Sequence, residues 1–123
     1  MITVSDEEFD TFTSQALASL PKTHLDAVKN VAIVYADDPT PEQREELKLR
    51  HNETLFGLYQ GVPLSKRQGV TNYPPDKITI FKNPLCSSVD SIDGLKEQIR
   101  HTVWHEVAHY FGLNHEQIHE LEQ

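Results

Sequence analysis

Residues 105–115 read HEVAHYFGLNH, and this stretch dominates what the sequence predicts about local structure and chemistry. An α-helix turns by about 100° per residue, so His109 lies within about 40° of His105 in azimuth, one turn further along. Two imidazoles on one helix face, one turn apart, can bind a single metal ion, and Glu106 lies beside them. The stretch therefore predicts a helix that carries a metal site.

The residues after His109 extend this pattern. Gly112 follows His109 by three positions and His115 follows it by six. A continued helix would carry His115 away from the metal, whereas a glycine in the left-handed conformation can turn the chain back. We therefore predict His115 as a third metal ligand. His119 is a competing candidate that the motif spacing disfavours.

The ligand set indicates the kind of metal site. Three neutral imidazoles leave the fourth position of a tetrahedral zinc ion open, which is typical of catalytic rather than structural zinc. We predict one Zn²⁺ per chain, held by His105, His109 and His115, although nickel, copper or iron would also accept three histidines. Glu106 is the predicted general base, because it can take a proton from the zinc-activated water and pass it to a leaving amine.

The remaining histidines and the single cysteine are expected outside this site. His101 shares the face of His105, but positions i, i+4 and i+8 span about 12 Å of helix, so we expect it to be a neighbour rather than a ligand. His24 and His51 are predicted at the surface. Cys86 excludes an internal disulfide because it is the only cysteine, and we predict a buried small apolar residue there.

Two elements are predicted in the first third of the chain. Ser5 with Glu8 predicts a capping box at the start of an amphipathic helix over residues 6–20, which Pro21 ends. Residues 31–36, VAIVYA, predict a buried strand. The charged residues 39–52 that follow predict a loop or a short solvated helix.

Two further strands precede the motif helix. Residues 53–59, ETLFGLY, predict a strand, with Gly57 and Gly61 marking a turn or bulge. Residues 62–76 predict a proline-rich loop. Residues 77–81, KITIF, predict a third strand, which we expect to be the exposed edge to which an extended peptide adds.

The motif belongs to a long predicted helix. Asp90 or Ser91 is expected to cap it, Gly112 to stop it, and Asn114 with Gln117 to begin a last short helix. Apolar residues recur along it at helical spacing: Ile92, Leu95, Ile99, Val103, Val107 and Phe111. The resulting order predicts an α+β fold, with a small mixed β-sheet packed against helices and the site helix near the C-terminus.

Length and charge limit the remaining possibilities. A chain of 123 residues predicts one domain over residues 1–123. The net charge of -8 disfavours nucleic acid as a partner. No apolar run is long enough to span a bilayer, and residues 1–10 lack the features of a secretory signal. We therefore expect a cytoplasmic protein with no membrane partner.

The sequence resembles a known family, both in its histidine motif and in further segments. The segment HEVAHYFGLNH is similar to the long zinc signature of the metzincin clan. More of the chain resembles the minimal zincins, small bacterial predicted metallopeptidases, through residues 55–67 (LFGLYQGVPLSKR), 74–85 (PPDKITIFKNPL) and 102–118 (TVWHEVAHYFGLNHEQI). The resemblance implies a compact zincin-like fold and a zinc hydrolase that cleaves a peptide or protein substrate.

The chain departs from metzincins after the third histidine. Metzincins carry a Met-turn downstream, whereas eight residues follow His115 and Met1 is the only methionine. We therefore expect no metzincin C-terminal subdomain. Two other hypotheses stay open: a catalytically silent metal-binding or peptide-binding module, and a hydrolase of non-peptide substrates. Glu106 favours an enzyme, since a purely structural site has no use for a base.

Overall fold

The computed structural model describes residues 1–28, 31–48, 56–62 and 76–113. Its helices are α1 (Asp6–Ala18), α2 (Lys22–Ala27), α3 (Pro41–Lys48), α4 (Lys82–Ser87) and α5 (Ile92–Tyr110), and its strands are β1 (Ala32–Ala36), β2 (Gly57–Gln60) and β3 (Lys77–Phe81). The predicted helix that begins at Asn114, the first part of the predicted strand over residues 53–59 and most of the predicted proline-rich loop lie outside the described residues.

The three strands form one mixed sheet in the order β1-β3-β2. β3 pairs in parallel with β1 and antiparallel with β2. The strand KITIF has the predicted bounds, but the prediction that it is an exposed edge is wrong. The alternation of apolar and polar residues in KITIF indicated a strand, but it carried no information about which strands pair with it. In the fold, a strand lies on each side of β3.

β1 is more exposed than its sequence indicated. VAIVYA predicts a buried strand, but β1 pairs with β3 along one side, and 42% of Val34 is exposed to solvent. An apolar run shows that a strand is favourable without showing that both of its faces are covered. β1 is therefore a half-buried strand at one side of the sheet.

The first helix begins as predicted. The Ser5 side chain accepts from the Glu8 N–H, and the Glu8 side chain accepts from the Ser5 N–H, which completes the capping box. α1 ends at Ala18, two residues earlier than predicted, and α2 follows directly after Pro21. Neither α2 nor α4 was predicted, because six residues are too few for an apolar periodicity to emerge.

α5 is in contact with most of the other described elements. It packs against α1, α4, β2 and β3, and the Ser91 side chain caps it by accepting from the Gly94 N–H. Most of its predicted apolar stripe is buried, but 40% of Ile92 is exposed because it lies in the first turn, beyond the packed elements. The largest cluster of buried side chains includes Phe9, Tyr59, Ile78, Ile80, Leu95, Ile99 and Val103.

This arrangement confirms the α+β class, the small mixed sheet and the long helix close to the C-terminus. None of the described helices has the length and apolarity needed to cross a bilayer. For the site, the important consequence is that the sheet face carrying Tyr59, Ile78 and Ile80 packs against the helix that carries the HEVAH segment.

Candidate metal centre

The end of α5 is a Schellman motif. The Gly112 N–H donates to the His109 carbonyl at 2.9 Å, and the Leu113 N–H donates to the Ala108 carbonyl at 3.1 Å. Gly112 has φ of 81°, in the left-handed region that a side chain disfavours. The predicted helix stop at Gly112 is confirmed, in the left-handed conformation that the prediction required.

The two histidines of the helix converge on one point. His105 Nε2 and His109 Nε2 are 3.2 Å apart, and their half-buried rings meet edge to face with centroids 4.8 Å apart. A tetrahedral zinc ion with bonds of about 2.0–2.1 Å holds two ligand nitrogens about 3.3 Å apart. The observed separation therefore fits two ligands of one zinc ion.

Glu106 belongs to the same group. One ligand-type atom from each of His105, Glu106 and His109 lies within 4.8 Å of the others. Among the described residues, these three are the histidine, cysteine or acidic residues whose ligand atoms lie close enough together to hold a metal ion. Three of the predicted site residues are thus brought together, as α-helical spacing requires.

The Glu106 carboxylate is buried and fixed. Only 1% of the residue is exposed, and its Oε1 accepts a hydrogen bond from the Tyr59 backbone N–H at 2.8 Å. A buried carboxylate is costly unless it is hydrogen-bonded, and a bond to a charged acceptor is stronger than a neutral one. The contact therefore holds Glu106 against strand β2, 47 residues away in sequence.

The pairing of β2 explains why this N–H is available. The Phe81 N–H donates to the Phe56 carbonyl at 2.8 Å, so Phe56 bonds toward β3. Bonding alternates along an antiparallel ladder, which directs the backbone groups of Gly57 and Tyr59 away from β3. Glu106 thus meets a backbone donor on the side of β2 that faces away from the sheet.

Gly57 lies where β2 and α5 approach each other closely. A Cβ built on Gly57 would meet Thr102 Cγ2 at 2.7 Å and Glu106 Cγ at 3.2 Å. The sequence indicated a turn or bulge at this glycine, but the structure places it as the first residue of β2. A glycine in a strand often marks a close approach, and that was the available signal.

The remaining candidates fall into two groups. His115 and His119 lie outside the described residues, as does His51, so the third ligand remains a prediction. His101 is exposed and stands apart from the metal group, as predicted. His24 is half-buried rather than at the surface, because its ring packs on Phe111 with centroids 5.1 Å apart.

Cys86 has the predicted structural role. It is 7% exposed and lies on α4, within the main core cluster. Burial raises the pKa of its thiol, and the charge of Lys82 opposes that effect without cancelling it. A neutral buried thiol is a small apolar side chain, so its location and protonation both disfavour a role as a zinc ligand.

An apolar cavity of about 490 Å³ flanks the other side of α5. Its walls come from the α1–α2 junction, from the last turns of α5 and from the residues just after that helix: Leu20, Pro21, His24, Trp104, Val107, Ala108, Phe111 and Leu113. Trp104 and Ala108 each precede one of the site histidines by one position, which places them about 100° away around the helix axis. The cavity therefore lies on a face of α5 different from that of His105 and His109. The cavity is adjacent to the metal centre and separate from it.

Comparison with protein-family models identified the family that this chain matches. A family model described as zincin-like metallopeptidase matches residues 28–123, which include all three described strands and the whole of α5. No curated protein matched the chain. The matched range thus covers the histidine pair, Glu106 and the strand that holds Glu106.

Proposed function

Because this chain belongs to the zincin-like metallopeptidase family, we propose that it is a zinc-dependent peptidase with Glu106 as its general base. The observation that carries the proposal is the convergence of His105, Glu106 and His109, with the two imidazole Nε2 atoms 3.2 Å apart. His105 and His109 would hold the zinc ion, and His115 is the proposed third ligand. The family membership makes hydrolysis the expected chemistry.

When bound, zinc supplies a Lewis acid that polarises the scissile carbonyl and makes a coordinated water more acidic. Glu106 takes a proton from the attacking water as the new C–O bond forms. It then gives that proton to the amine nitrogen as the C–N bond breaks. The Tyr59 N–H contact is compatible with this role, because a carboxylate can accept several hydrogen bonds at once.

We place the substrate along β2 rather than along β3. β3 has a strand on each side, whereas β2 is at one end of the described sheet and directly contacts Glu106. An extended peptide can add through main-chain hydrogen bonds to the part of such an edge that Glu106 does not occupy. The substrate is thereby proposed to be a peptide or an unfolded segment of a protein.

The test compares two variants on the same helix. Zinc-loaded wild type is screened against a peptide library with and without a chelator, and the best substrate is then used to assay Glu106→Gln and Glu97→Gln. Glu97 is an exposed carboxylate paired with Arg100, two to three turns before Glu106, and serves as the control. Glu106→Gln should keep its zinc and lose activity by about 10²-fold or more, because an amide cannot accept the proton.

The outcomes separate the mechanism from its alternatives. Glu97→Gln should cleave the peptide as fast as wild type. Equal cleavage by Glu106→Gln would contradict the general-base role. A wild type that binds zinc but cleaves no peptide in the library would instead support the catalytically silent binding module.

A further inference from the structure

We infer that Gly57 is a positioning residue: its missing side chain lets β2 approach α5 closely enough for the Tyr59 N–H to hold the Glu106 carboxylate. The inference rests on the proposed role of Glu106 as the general base. It assigns a function to a strand residue that is 49 positions away from Glu106 in the chain.

The steric evidence is what a side chain at Gly57 would meet: two atoms of α5 and, at 3.3 Å, the Thr79 carbonyl oxygen of β3. A Cβ on Gly57 would lie 2.7 Å from Thr102 Cγ2 and 3.2 Å from Glu106 Cγ. The first distance is far shorter than the about 3.5–4.0 Å at which two carbon atoms attract each other. Thr102 is 5% exposed and its hydroxyl donates to the Gln98 carbonyl at 2.7 Å, so it cannot simply rotate away. An alanine at Gly57 would therefore push β2 away from α5.

The same displacement would act on the contact that fixes Glu106. Gly57 and Tyr59 are two positions apart on one strand and share the sheet face that packs on α5. The Tyr59 N–H lies 2.8 Å from Glu106 Oε1, so a shift of β2 by several tenths of an ångström lengthens this hydrogen bond directly. Only 1% of Glu106 is exposed, so bulk solvent has little access to replace the lost donor.

Loss of this contact would impair the proton transfer. A general base must stay within hydrogen-bonding reach of the proton that it takes. A misplacement of about 1 Å can reduce a reaction rate by about 10²-fold. The structure thus predicts that Gly57 affects turnover through the position of Glu106, without touching the substrate or the metal.

The direct test is an NMR measurement on the Tyr59 amide in zinc-loaded and metal-free protein. In wild type, this amide proton should resonate downfield and exchange slowly with solvent. In Gly57→Ala it should move upfield and exchange about tenfold faster or more, the factor expected for a hydrogen bond to a charged acceptor. Glu106→Gln should shift the same resonance without changing the strand, which identifies the acceptor.

A compensating variant makes the test specific. Thr102→Ser removes the Cγ2 atom that the alanine would meet and keeps the hydroxyl that donates to Gln98. Gly57→Ala/Thr102→Ser should therefore return the Tyr59 resonance most of the way to its wild-type position, because only the milder contacts at 3.2 and 3.3 Å remain, and Thr102→Ser alone should resemble wild type. If Gly57→Ala does not fold, the double variant must fold and show a Tyr59 signal close to that of wild type. A folded Gly57→Ala with an unchanged Tyr59 amide, or a double variant that recovers none of the wild-type signal, would overturn the inference.

An activity measurement adds the functional consequence. With a peptide that the wild type cleaves, Gly57→Ala should lower kcat by about 10-fold or more at unchanged KM and unchanged zinc content, and Thr102→Ser should restore kcat. A normal kcat in a Gly57→Ala protein that has lost the Tyr59 contact would overturn the positioning role. If wild type cleaves no peptide, the proposed function fails, while the amide measurement still decides whether Gly57 positions Glu106.

Discussion

At the residue scale, three side chains from successive turns of α5 form the candidate metal centre. His105 and His109 point their Nε2 atoms at a common position, and Glu106 turns toward β2, where a backbone N–H holds it. The helix period alone produces the histidine pair. The orientation of Glu106 depends in addition on a strand that approaches from elsewhere in the chain.

The proposed third metal ligand, His115, can also be tested with single substitutions. If Gly112 turns the chain back toward the metal, His115→Ala should weaken zinc binding by about 10-fold or more, because one of three protein ligands is lost. His119→Ala should bind zinc as wild type does. Competition with a zinc-sensitive chelator measures both affinities, and equal affinity in His115→Ala and wild type would remove His115 from the ligand set.

At the element scale, the left-handed turn after α5 can be tested by its stability. Gly112 has φ of 81°, and a side chain in that conformation costs about 1–2 kcal/mol. Gly112→Ala should lower the free energy of unfolding by about that amount, measured by urea denaturation. Gly112→Asn should lose less, because asparagine tolerates the left-handed region better. Equal stability of the alanine variant and wild type would contradict the assigned turn.

Elements with strong local signals were predictable from sequence. The Ser5 capping box and the stop at Gly112 are encoded by residues that contact each other locally, and the bounds of the KITIF strand follow from its own alternating sequence. Position within the sheet was not predictable, because the edge or centre location of β3 depends on which distant segments pair with it. The contact of Glu106 with Tyr59 was missed for the same reason, although Gly57 gave an indication of it.

At the scale of the whole molecule, one ion pair joins the first helix to the segment after the sheet. Lys82 Nζ lies 2.7 Å from Asp6 Oδ1, and this hydrogen bond raises the pKa of Lys82 above its ordinary value of 10.5. A raised lysine pKa stabilises the fold fully below 10.5, and the contribution is lost as pH rises through the folded-state pKa.

Lys82→Met should therefore be less stable than wild type near neutral pH, by up to about 1 kcal/mol, because Asp6 is largely exposed. The difference should shrink at strongly alkaline pH and with added salt. Urea denaturation over that pH range measures it. Lys48→Met is the control, since its pair with Glu45 lies within α3 and joins no separate elements. A difference that grows with alkaline pH would contradict the assignment.

The proposed function depends on zinc bound by the histidine pair, and the decisive measurement is metal analysis of the purified protein after equilibration with zinc. We predict about one zinc ion per chain in wild type and in His101→Ala, whose side chain is exposed and apart from the metal group. His105→Ala and His109→Ala should retain almost none. Wild-type protein without zinc above background, or full zinc content in His105→Ala, would contradict the central claim.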